Sequence, residues 1–292
     1  MKFMNQLNEK LAIVGIFWDG YYDLWEDFLD LKERFWPDCP YNMYIVNEEK
    51  VLNYEKKYNV RVLSAGKDAL YSRKVQYAIE NIMADYYLLL LEDFFFSRPL
   101  QRNVLESNLS MMDKYSLEYL KMPLKEFIAT AKGTPFHNID NIISIRNENE
   151  YTLTCQPSIW KRDFLKKCIG DGNYNAWVFE GIYAKSRLAH TVEFLNYCKI
   201  DKSNKLGLVH GALQGKMLPK TVSKLEATGY KMKNQREVMS LKDNYLNELK
   251  DKLKGILPLG GQRVVKKILK TESVIERYEK EIEQEIINMG IK

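Results

Sequence analysis

Short apolar runs alternate with helical patterns in the first part of the chain, and this alternation constrains the fold more than any other feature. Each run is short and bounded by polar or turn-forming residues, as in strands that are buried on both faces. The runs cover 11–17, 41–47, 60–65 and 86–91. Strands that alternate with helices form βαβ units, so the sequence predicts an α/β fold with a largely parallel sheet.

The intervening helices are predicted from apolar residues at spacings of three and four. The first carries Leu24, Phe28, Leu31 and Phe35 on one face, before Pro37. The second covers 72–84, and its apolar face carries Val75, Ile79, Ile82 and Met83. Both patterns predict helices that pack one face against the sheet.

The middle of the chain has shorter connections and predicts a mixed edge of the same sheet. Strands are expected at 136–145 and 150–156, followed by helices at 160–168 and around 177–188. From about residue 236 the composition shifts to charged and helix-forming residues. We therefore expect an α/β domain over 1–235 and a basic amphipathic helical tail over 236–292.

The tail includes a segment, 250–270, with seven basic residues and one acidic residue. Basic residues that flank apolar positions favour an amphipathic segment that lies on an anionic membrane surface. The alternative is a set of solvated helices that pack on the domain or on another subunit. A charged helix is expected over 272–289.

Composition excludes several classes of protein. The 44 basic and 39 acidic residues give a net charge of +5, which is too small to indicate a nucleic-acid partner. No apolar stretch approaches the ~18 residues of a membrane span, and no signal peptide is recognised. The four cysteines lack zinc-site spacing. We expect a cytoplasmic protein that contacts the inner face of the membrane peripherally through its tail.

Ligands of open parallel sheets bind outside the carboxyl ends of the strands. Asp19, Tyr21 and Tyr22 follow the first predicted strand. The carboxylate could accept a hydrogen bond from a base or ribose hydroxyl, and the rings could stack on a base. Alternatively, these residues form a helix cap and part of the aromatic core. Arg73, early in the second helix, is predicted to contact the same ligand.

Glu92 and Asp93 follow the most strand-like run, YYLLLL. Two adjacent carboxylates repel each other, so a divalent cation or a cationic ligand group would stabilise them. Mg²⁺ is usually held by one or two carboxylates and substrate phosphates. The alternative is a polar strand end at a turn.

A third candidate region ends at Glu180. Trp177 and Glu180 are three residues apart and share a helical face, which places an aromatic ring beside a carboxylate. Gln156 and Trp160 precede them around a Gln-Pro turn. This set would suit a sugar, whose apolar face stacks while a hydroxyl hydrogen-bonds or loses a proton. The alternative is core tryptophan and surface glutamate.

The segment VHGALQGKMLP, 209–219, combines two glycines with charged groups. Gly211 and Gly215 would let the backbone approach a phosphate, Lys216 would supply charge, and His210 a metal or phosphate contact. The segment lacks the spacing of a P-loop. A glycine turn with a surface lysine explains it equally well.

In order and spacing, these segments resemble a family of bacterial glycosyltransferases with a GT-A-like fold, found in capsule, O-antigen and related surface-polysaccharide loci. The segments that carry the resemblance are 21–38, 86–96, 154–165, 177–180 and 210–219. The resemblance implies a Rossmann-like, mixed and mostly parallel sheet flanked by helices, with a C-terminal helical extension. It also implies a nucleotide-sugar donor and a glycan or lipid-linked acceptor.

The resemblance also implies roles for individual residues. Glu92 and Asp93 occupy the place of the family's Asp-X-Asp motif, with Glu-Asp-Phe here, so Asp93 and His210 would hold Mg²⁺ or Mn²⁺, or cationic groups would replace the metal. Glu180 falls where such enzymes carry the acceptor-side base, and direct displacement would invert the anomeric centre. The segment from His210 to Lys216 resembles the one that closes over the diphosphate.

Two other classes remain open. A nucleotidyltransferase acting on sugar phosphates also uses a Rossmann-like sheet with acidic metal ligands. It normally has a basic, glycine-rich loop after the first strand, where this chain has WDGYYD. The second alternative is a non-catalytic, membrane-associated scaffold with a decayed metal site.

Overall fold

A computed structural model describes residues 9–51, 55–100, 103–131, 133–145, 152–186, 192–247 and 274–291. The strands are β1 (Leu11–Ile16), β2 (Met43–Asn47), β3 (Val60–Ser64), β4 (Tyr86–Leu90), β5 (Phe94–Phe96), β6 (Tyr119–Lys121), β7 (Gly133–Pro135), β8 (Ile142–Ile145), β9 (Ser158–Lys161), β10 (Cys198–Asp201), β11 (Leu208–His210), β12 (Ala212–Leu213) and β13 (Lys216–Met217). The α-helices are α1 (Tyr22–Phe35), α2 (Glu55–Tyr58), α3 (Tyr71–Asn81), α4 (Val104–Lys114), α5 (Arg162–Ile169), α6 (Ala176–Lys185), α7 (Val192–Asn196), α8 (Pro219–Glu226), α9 (Val274–Arg277) and α10 (Glu279–Asn288). Two 3₁₀ helices cover Asp19–Tyr21 and Lys125–Thr130, and 241–247 are helical as well.

A nine-stranded mixed sheet organises the fold, in the order β3-β2-β1-β4-β9-β6-β10-β8-β7. Strands β1 to β4 are parallel to one another, and in the rest of this sheet only β9 and β8 run in the opposite direction. The order 3-2-1-4 is that of a Rossmann-like half. The predicted α/β fold with a mostly parallel, mixed sheet is therefore confirmed.

Both faces of the sheet are covered, as the continuous apolar runs predict. Alternate residues of β1 enter opposite cores: Leu11 and Ile13 pack with α1 and α4, whereas Ala12 and Val14 pack with α3, α5 and α6. This alternation follows from the two-residue period of a strand. The result is a layer of helices on each side of the sheet.

Three details of the sequence prediction are wrong. Met83 lies beyond the end of α3 and is 75% exposed, because the helix ends before it. The expected strand over 136–145 is instead a turn, 136–141, followed by the short strand β8, which pairs with β7 as a hairpin. No strand lies in 152–156; the strand of this region is β9, which begins at Ser158 after Pro157.

The final helix, α10, packs on the domain. Ile282 is fully buried in the second core and would contact any side chain added at Gly181 of α6. Lys185 of α6 pairs with Glu279 at 2.6 Å. The basic segment 250–270 lies outside the described residues, and the boundary at 235 stays a prediction. Within the described ranges, no helix combines the length and apolarity that crossing a bilayer needs.

Candidate functional site

The carboxyl ends of β1 and β4 meet at the point where the strand order reverses. The chain runs outward from β1 to β2 and β3, then crosses back to place β4 on the other side of β1. Ligands of open α/β sheets bind in the crevice at such a point. The residues that follow β1, β2 and β4 therefore define the candidate site.

Asp93 and His210 form the central pair of this site. They are 117 residues apart in sequence, with Asp93 Oδ2 3.1 Å from Nε2 of His210. The pairing of β5 with β11 brings them together, because Phe94 lies opposite His210. The backbone N–H of Gly211 donates to the Asp93 carbonyl at 2.7 Å, which fixes the two loops together.

The environment of His210 favours its charged form. Burial by itself would lower its pKa, but the hydrogen bond and charge of Asp93, together with the charge of Glu126, outweigh it and raise the pKa above its usual value. A protonated imidazole has no lone pair for a metal. The hydrogen bond already engages Nε2 of His210, so the structure supports His210 as a partner of Asp93 over the predicted role as a metal ligand.

The other oxygen of Asp93, Oδ1, is buried and has no hydrogen-bond partner among the described residues. Glu92 beside it is buried, and its pKa is raised to about 8 by burial and then by the charge of Asp93. An unpartnered carboxylate oxygen beside a second acid fits a divalent cation that is completed by phosphate oxygens. In the part of the chain that the structure describes, no group of three or more His, Cys, Asp or Glu side chains is arranged to hold a metal.

Asp19 organises the loop that follows β2. Its Oδ1 accepts from Nδ2 of Asn47 at 2.9 Å, and its Oδ2 accepts from the backbone N–H groups of Glu49 and Lys50 at 2.8 and 2.9 Å. Burial raises the pKa of Asp19, but these hydrogen bonds outweigh it and the net shift is downward. The carboxylate that was expected to bind a donor is already used to connect two strand ends.

A buried ion pair, Lys74 with Glu48, lies beneath these loops. Lys74 Nζ is 2.6 Å from Oε1 of Glu48 and donates to the carbonyl of Phe17 at 2.8 Å. The other oxygen, Oε2, accepts from the N–H of Asp19 at 2.7 Å. Arg73, the residue predicted here, instead pairs with Glu80 on the outer surface of α3. The structure thus places the neighbouring Lys74, and not Arg73, at the site.

The aromatic residues after β1 are only partly available for stacking. The guanidinium of Arg236 lies 3.9 Å from the centre of the Tyr21 ring and also pairs with Asp23 at 2.6 Å. Tyr22 packs edge-on against Trp25 with the Lys50 ammonium near its ring. One face of Tyr21 is therefore covered, and Tyr22 is half-buried beside it.

Glu180 lies in a second polar cluster, on the face of the sheet that α6 covers. Its Oε1 accepts from the backbone N–H of Cys155 at 2.8 Å. Burial raises the pKa of Glu180, opposed by this hydrogen bond and by the charge of Lys121. Lys121 ends β6 at the same carboxyl edge as β4, and burial lowers its pKa to about 8. A half-buried carboxyl with a raised pKa has the properties of a general base or acid.

The residues predicted around Glu180 occupy different environments. Trp177 is half exposed at the start of α6, where Asn175 caps the helix. Trp160 is 1% exposed, and its indole N–H donates to Ser158 at 2.7 Å, so it has no surface for a sugar ring. The predicted acceptor role of Trp160 is therefore contradicted by its burial. Gln156 accepts from the N–H of Leu124 through its side-chain oxygen at 3.1 Å.

Lys216 lies in the β12–β13 hairpin and is exposed. It pairs with Glu237 at 2.8 Å, and this hydrogen bond raises its pKa. Gly215 occupies the turn with a φ of +79°, a conformation that favours glycine. No contact among the described residues joins Lys216 to Asp93.

No family model matches this sequence, and no curated protein matches it. Among the solved structures that match in fold are the following three. TarS 1-349 of S. aureus has 15% identity and a TM-score of 0.38 over 54% of this chain and 48% of that one. The mannosyltransferase PcManGT from Pyrobaculum calidifontis, in complex with GDP-Man and Mn²⁺, has 7% identity and a TM-score of 0.44 over 70% and 58%.

Mannosyl-3-phosphoglycerate synthase from Rubrobacter xylanophilus has 11% identity and a TM-score of 0.46 over 87% of this chain and 76% of that one. The chain spans about half the length of TarS 1-349. At these identities and TM-scores, the similarities assign no substrate or activity to this protein.

Sequence reasoning missed Glu48, Lys74, Lys121 and Glu126. Glu48 follows a predicted strand, so its place directly after β2 could have identified it. Lys74 lies one residue from Arg73 and only the rotation of α3 about its axis separates their environments. Lys121 ends β6, a three-residue strand too short to give a pattern, and Glu126 lies in the 3₁₀ helix that follows.

Proposed function

We propose that this protein is a glycosyltransferase that moves a sugar from a nucleotide-sugar donor to a glycan or lipid-linked acceptor in bacterial surface-polysaccharide synthesis. The observation that carries the proposal is the Asp93–His210 pair at the switch point of the sheet, with the second oxygen of Asp93 buried and unpartnered. Such a group suits the diphosphate of a donor at the carboxyl edge. The resemblance of the ordered sequence segments points to the same class.

In this proposal the donor lies over the ends of β1 and β4. Asp19 and the buried pair of Lys74 with Glu48 hold the loops that form the floor of the site. Tyr21 and Tyr22, both partly buried, provide the aromatic surface for the base. Lys216 approaches the phosphates only when its pair with Glu237 opens.

Asp93 would hold Mg²⁺ or Mn²⁺ through Oδ1. The ion would neutralise charge that develops on the diphosphate leaving group. His210, as a cation, holds Asp93 through Oδ2 and adds positive charge beside the same group. Glu92, with its pKa raised to about 8, provides a protonated carboxyl that does not repel the phosphates at neutral pH.

Glu180 is proposed as the base that removes the proton from the acceptor hydroxyl, with Trp177 and Gln156 beside the acceptor. Burial raises the pKa of Glu180, which makes its carboxylate a stronger base and supports this role. Direct attack by that hydroxyl on the anomeric carbon would invert its configuration.

Ligand binding tests the proposal first. Thermal unfolding is measured with UDP-, GDP- and CMP-sugars, each with and without Mn²⁺. A ligand at 100 times its Kd adds about 2.7 kcal/mol to the free energy of unfolding. Asp93→Asn should lose the Mn²⁺-dependent part of this gain, and Asp38→Asn, an exposed carboxylate after α1, should keep it.

The alternatives predict other outcomes of the same experiment. Stabilisation by nucleoside triphosphates alone would favour the nucleotidyltransferase. No stabilisation by any nucleotide would favour the scaffold. If EDTA leaves the stabilisation by nucleotide sugars unchanged, and Asp93→Asn is stabilised as much as the native chain, the metal has no part in the proposal.

Activity tests the base. Glu180→Gln should lower the rate of transfer about 10²–10⁴-fold, because general-base help has this size. Glu80→Gln, which alters a carboxylate on the outer surface of α3, is the matched control. Near-normal transfer by Glu180→Gln would contradict the assignment.

The membrane contact is a further part of the proposal and rests on the sequence of 250–270. Flotation of the full chain with liposomes should require anionic lipid and weaken as salt rises. Replacing Lys266 and Lys267 by Gln should weaken it further. Equal flotation with neutral and anionic liposomes would contradict the proposed electrostatic contact.

A further inference from the structure

A groove separate from the Asp93–His210 pair opens at the carboxyl edge of the sheet, beyond the ends of β6 and β10. Its volume is about 470 Å³, which is within the range of small-molecule sites. The lining residues come from four separate segments and are mostly polar or basic. They are Arg98, Lys125, Ile128, Ser203, Asn204 and Lys224.

Three of these side chains are cationic and lie close together. The pKa of Lys224 is lowered, first by burial and then by the positive charges of Lys125 and Arg98, against the opposing charge of Glu126. Within the described ranges, neither Lys125 nor Lys224 forms a salt bridge. The single negative charge of Glu126 offsets these three positive charges only in part, so an anion would stabilise this arrangement.

The wall of the groove is organised before any ligand binds. Arg98 donates through one guanidinium nitrogen to the carbonyl of Asn204 at 2.5 Å. A Cβ at Gly207, where φ is +66°, would lie 2.7 Å from Cγ of Arg98, so glycine allows this close packing. The hydroxyl oxygen of Ser203 is buried and has no partner among the described residues. Such an unsatisfied group calls for an explanation, and a ligand in the groove is one.

One 3₁₀ helix, Lys125–Thr130, separates the groove from the Asp93–His210 pair. The ring of Phe127 lies 6.2 Å from that of His210, whereas Lys125 and Ile128 line the groove. Strand β10 is three positions from β4 in the sheet, or ~14 Å. A diphosphate held at Asp93 would therefore leave the groove free for a second anionic group.

We propose that the groove of Arg98, Lys125 and Lys224 binds a phosphate group carried by the acceptor. The assignment to the acceptor, and not the anion site itself, rests on the proposed transferase function. The acceptor is then a phosphorylated molecule that reaches the donor across the 3₁₀ helix. The site adds a specificity element, because an unphosphorylated acceptor would leave most of the positive charge of the three cations unbalanced.

The test compares glycerol 3-phosphate with neutral glycerol by calorimetric titration of the full chain. Lys125→Met and Lys224→Met should each weaken binding of glycerol 3-phosphate about tenfold or more, since a hydrogen bond to a charged group contributes at least this much. Lys166→Met, an exposed lysine of α5 on the other face of the sheet, should leave the affinity unchanged. UDP binding is measured with the same four proteins and should not change.

Three results would overturn the proposal. The first is equal binding of glycerol and glycerol 3-phosphate. The second is an equal loss of affinity for glycerol 3-phosphate in the Lys166→Met control. The third is a loss of affinity for UDP in the groove variants as large as their loss of affinity for glycerol 3-phosphate. The last would assign the groove to the donor. If no nucleotide binds but the groove variants still lose glycerol 3-phosphate, the anion site stands and the transferase function falls. Removing a lysine relieves repulsion among the three cations, so both variants should have an unfolding temperature at least as high as that of the native chain.

Discussion

The buried pair of Lys74 with Glu48 offers the sharpest test of how the site is built. Lys74 is 4% exposed and Glu48 is 9% exposed. Lys74→Met keeps most of the apolar stem but removes the ammonium. Two contacts are then lost at once, the 2.6 Å ion pair with Glu48 and the 2.8 Å hydrogen bond to the carbonyl of Phe17.

The expected cost follows from the charge that stays behind. Glu48 would keep only the hydrogen bond from the N–H of Asp19, in a site from which water is largely excluded. Removing one partner of a buried pair costs about 3–5 kcal/mol, because the other charge remains uncompensated. Glu92 would also lose a nearby positive charge that lowers its pKa. The variant should still fold, since typical stabilities are about 5–15 kcal/mol.

Urea unfolding measures this effect. For a slope of about 2 kcal/mol/M, a loss of 4 kcal/mol shifts the midpoint by about 2 M. The double variant Lys74→Met with Glu48→Gln should recover part of the loss, because the unpaired charge is gone. Arg73→Met is the matched control: its pair with Glu80 is exposed, so it should cost less than about 1 kcal/mol.

The outcome that refutes this reasoning is specific. If Lys74→Met lowers the free energy of unfolding by no more than Arg73→Met does, the pair of Lys74 with Glu48 does not stabilise the site. If the double variant is destabilised by the sum of the two single losses, the two side chains do not act on each other.

Three further predictions concern stability. Ile282→Ala should lower the free energy of unfolding, measured in urea, by about 2–5 kcal/mol. Ile287 is 71% exposed on the same helix, so Ile287→Ala should change it little. Similar losses in the two variants would contradict the packing of α10 on the domain. Burial lowers the pKa of Lys121 from 10.5 to about 8. Between pH 8 and pH 10.5 the lysine is therefore mostly deprotonated in the folded state and protonated in the unfolded state. The free energy of unfolding should therefore rise with pH from about 8 to 10.5 by up to about 3 kcal/mol, and the same pH profile for Lys121→Met would refute this. Asp27 is buried and accepts four hydrogen bonds from 230–234 at 2.7–3.0 Å. Asp27→Ala should lower the free energy of unfolding by about 3 kcal/mol or more, since each hydrogen bond to a charged group contributes about 1.5–3 kcal/mol, and it should speed proteolysis of that segment. Unchanged proteolysis would show that another contact holds the segment.

Much of the fold can be predicted from the sequence, because the patterns of apolar residues that indicate strands and helices are local. The run LAIVGI predicts β1, and the spacing of Leu24, Phe28 and Leu31 predicts α1. Both elements bury the residues that the pattern selects. The segment 136–145 shows where this reasoning fails, since a turn followed by a short strand and a single longer strand have similar composition over ten residues.

The candidate site was predicted only in part. Asp93 was recognisable because it follows the most apolar strand, and His210 because of the glycines around it. Their shared role at a metal was expected only from the resemblance, and their direct contact was not predicted, because nothing local to either segment indicates that β5 pairs with β11. Arg73 was a wrong choice over Lys74 for the same reason: the side of α3 that faces the strand ends depends on how the helix packs.

The sequence by itself determined strands β1 to β4, helices α1 and α3, and the acidic residues that follow β4, because periodicity and strand ends depend on neighbouring residues. Only the tertiary structure decided that Asp93 meets His210, that Glu48 meets Lys74, and that three cations share one groove. Each of these contacts joins segments that are distant in the chain. Their chemistry therefore arises from strand order and helix rotation, which no local pattern specifies.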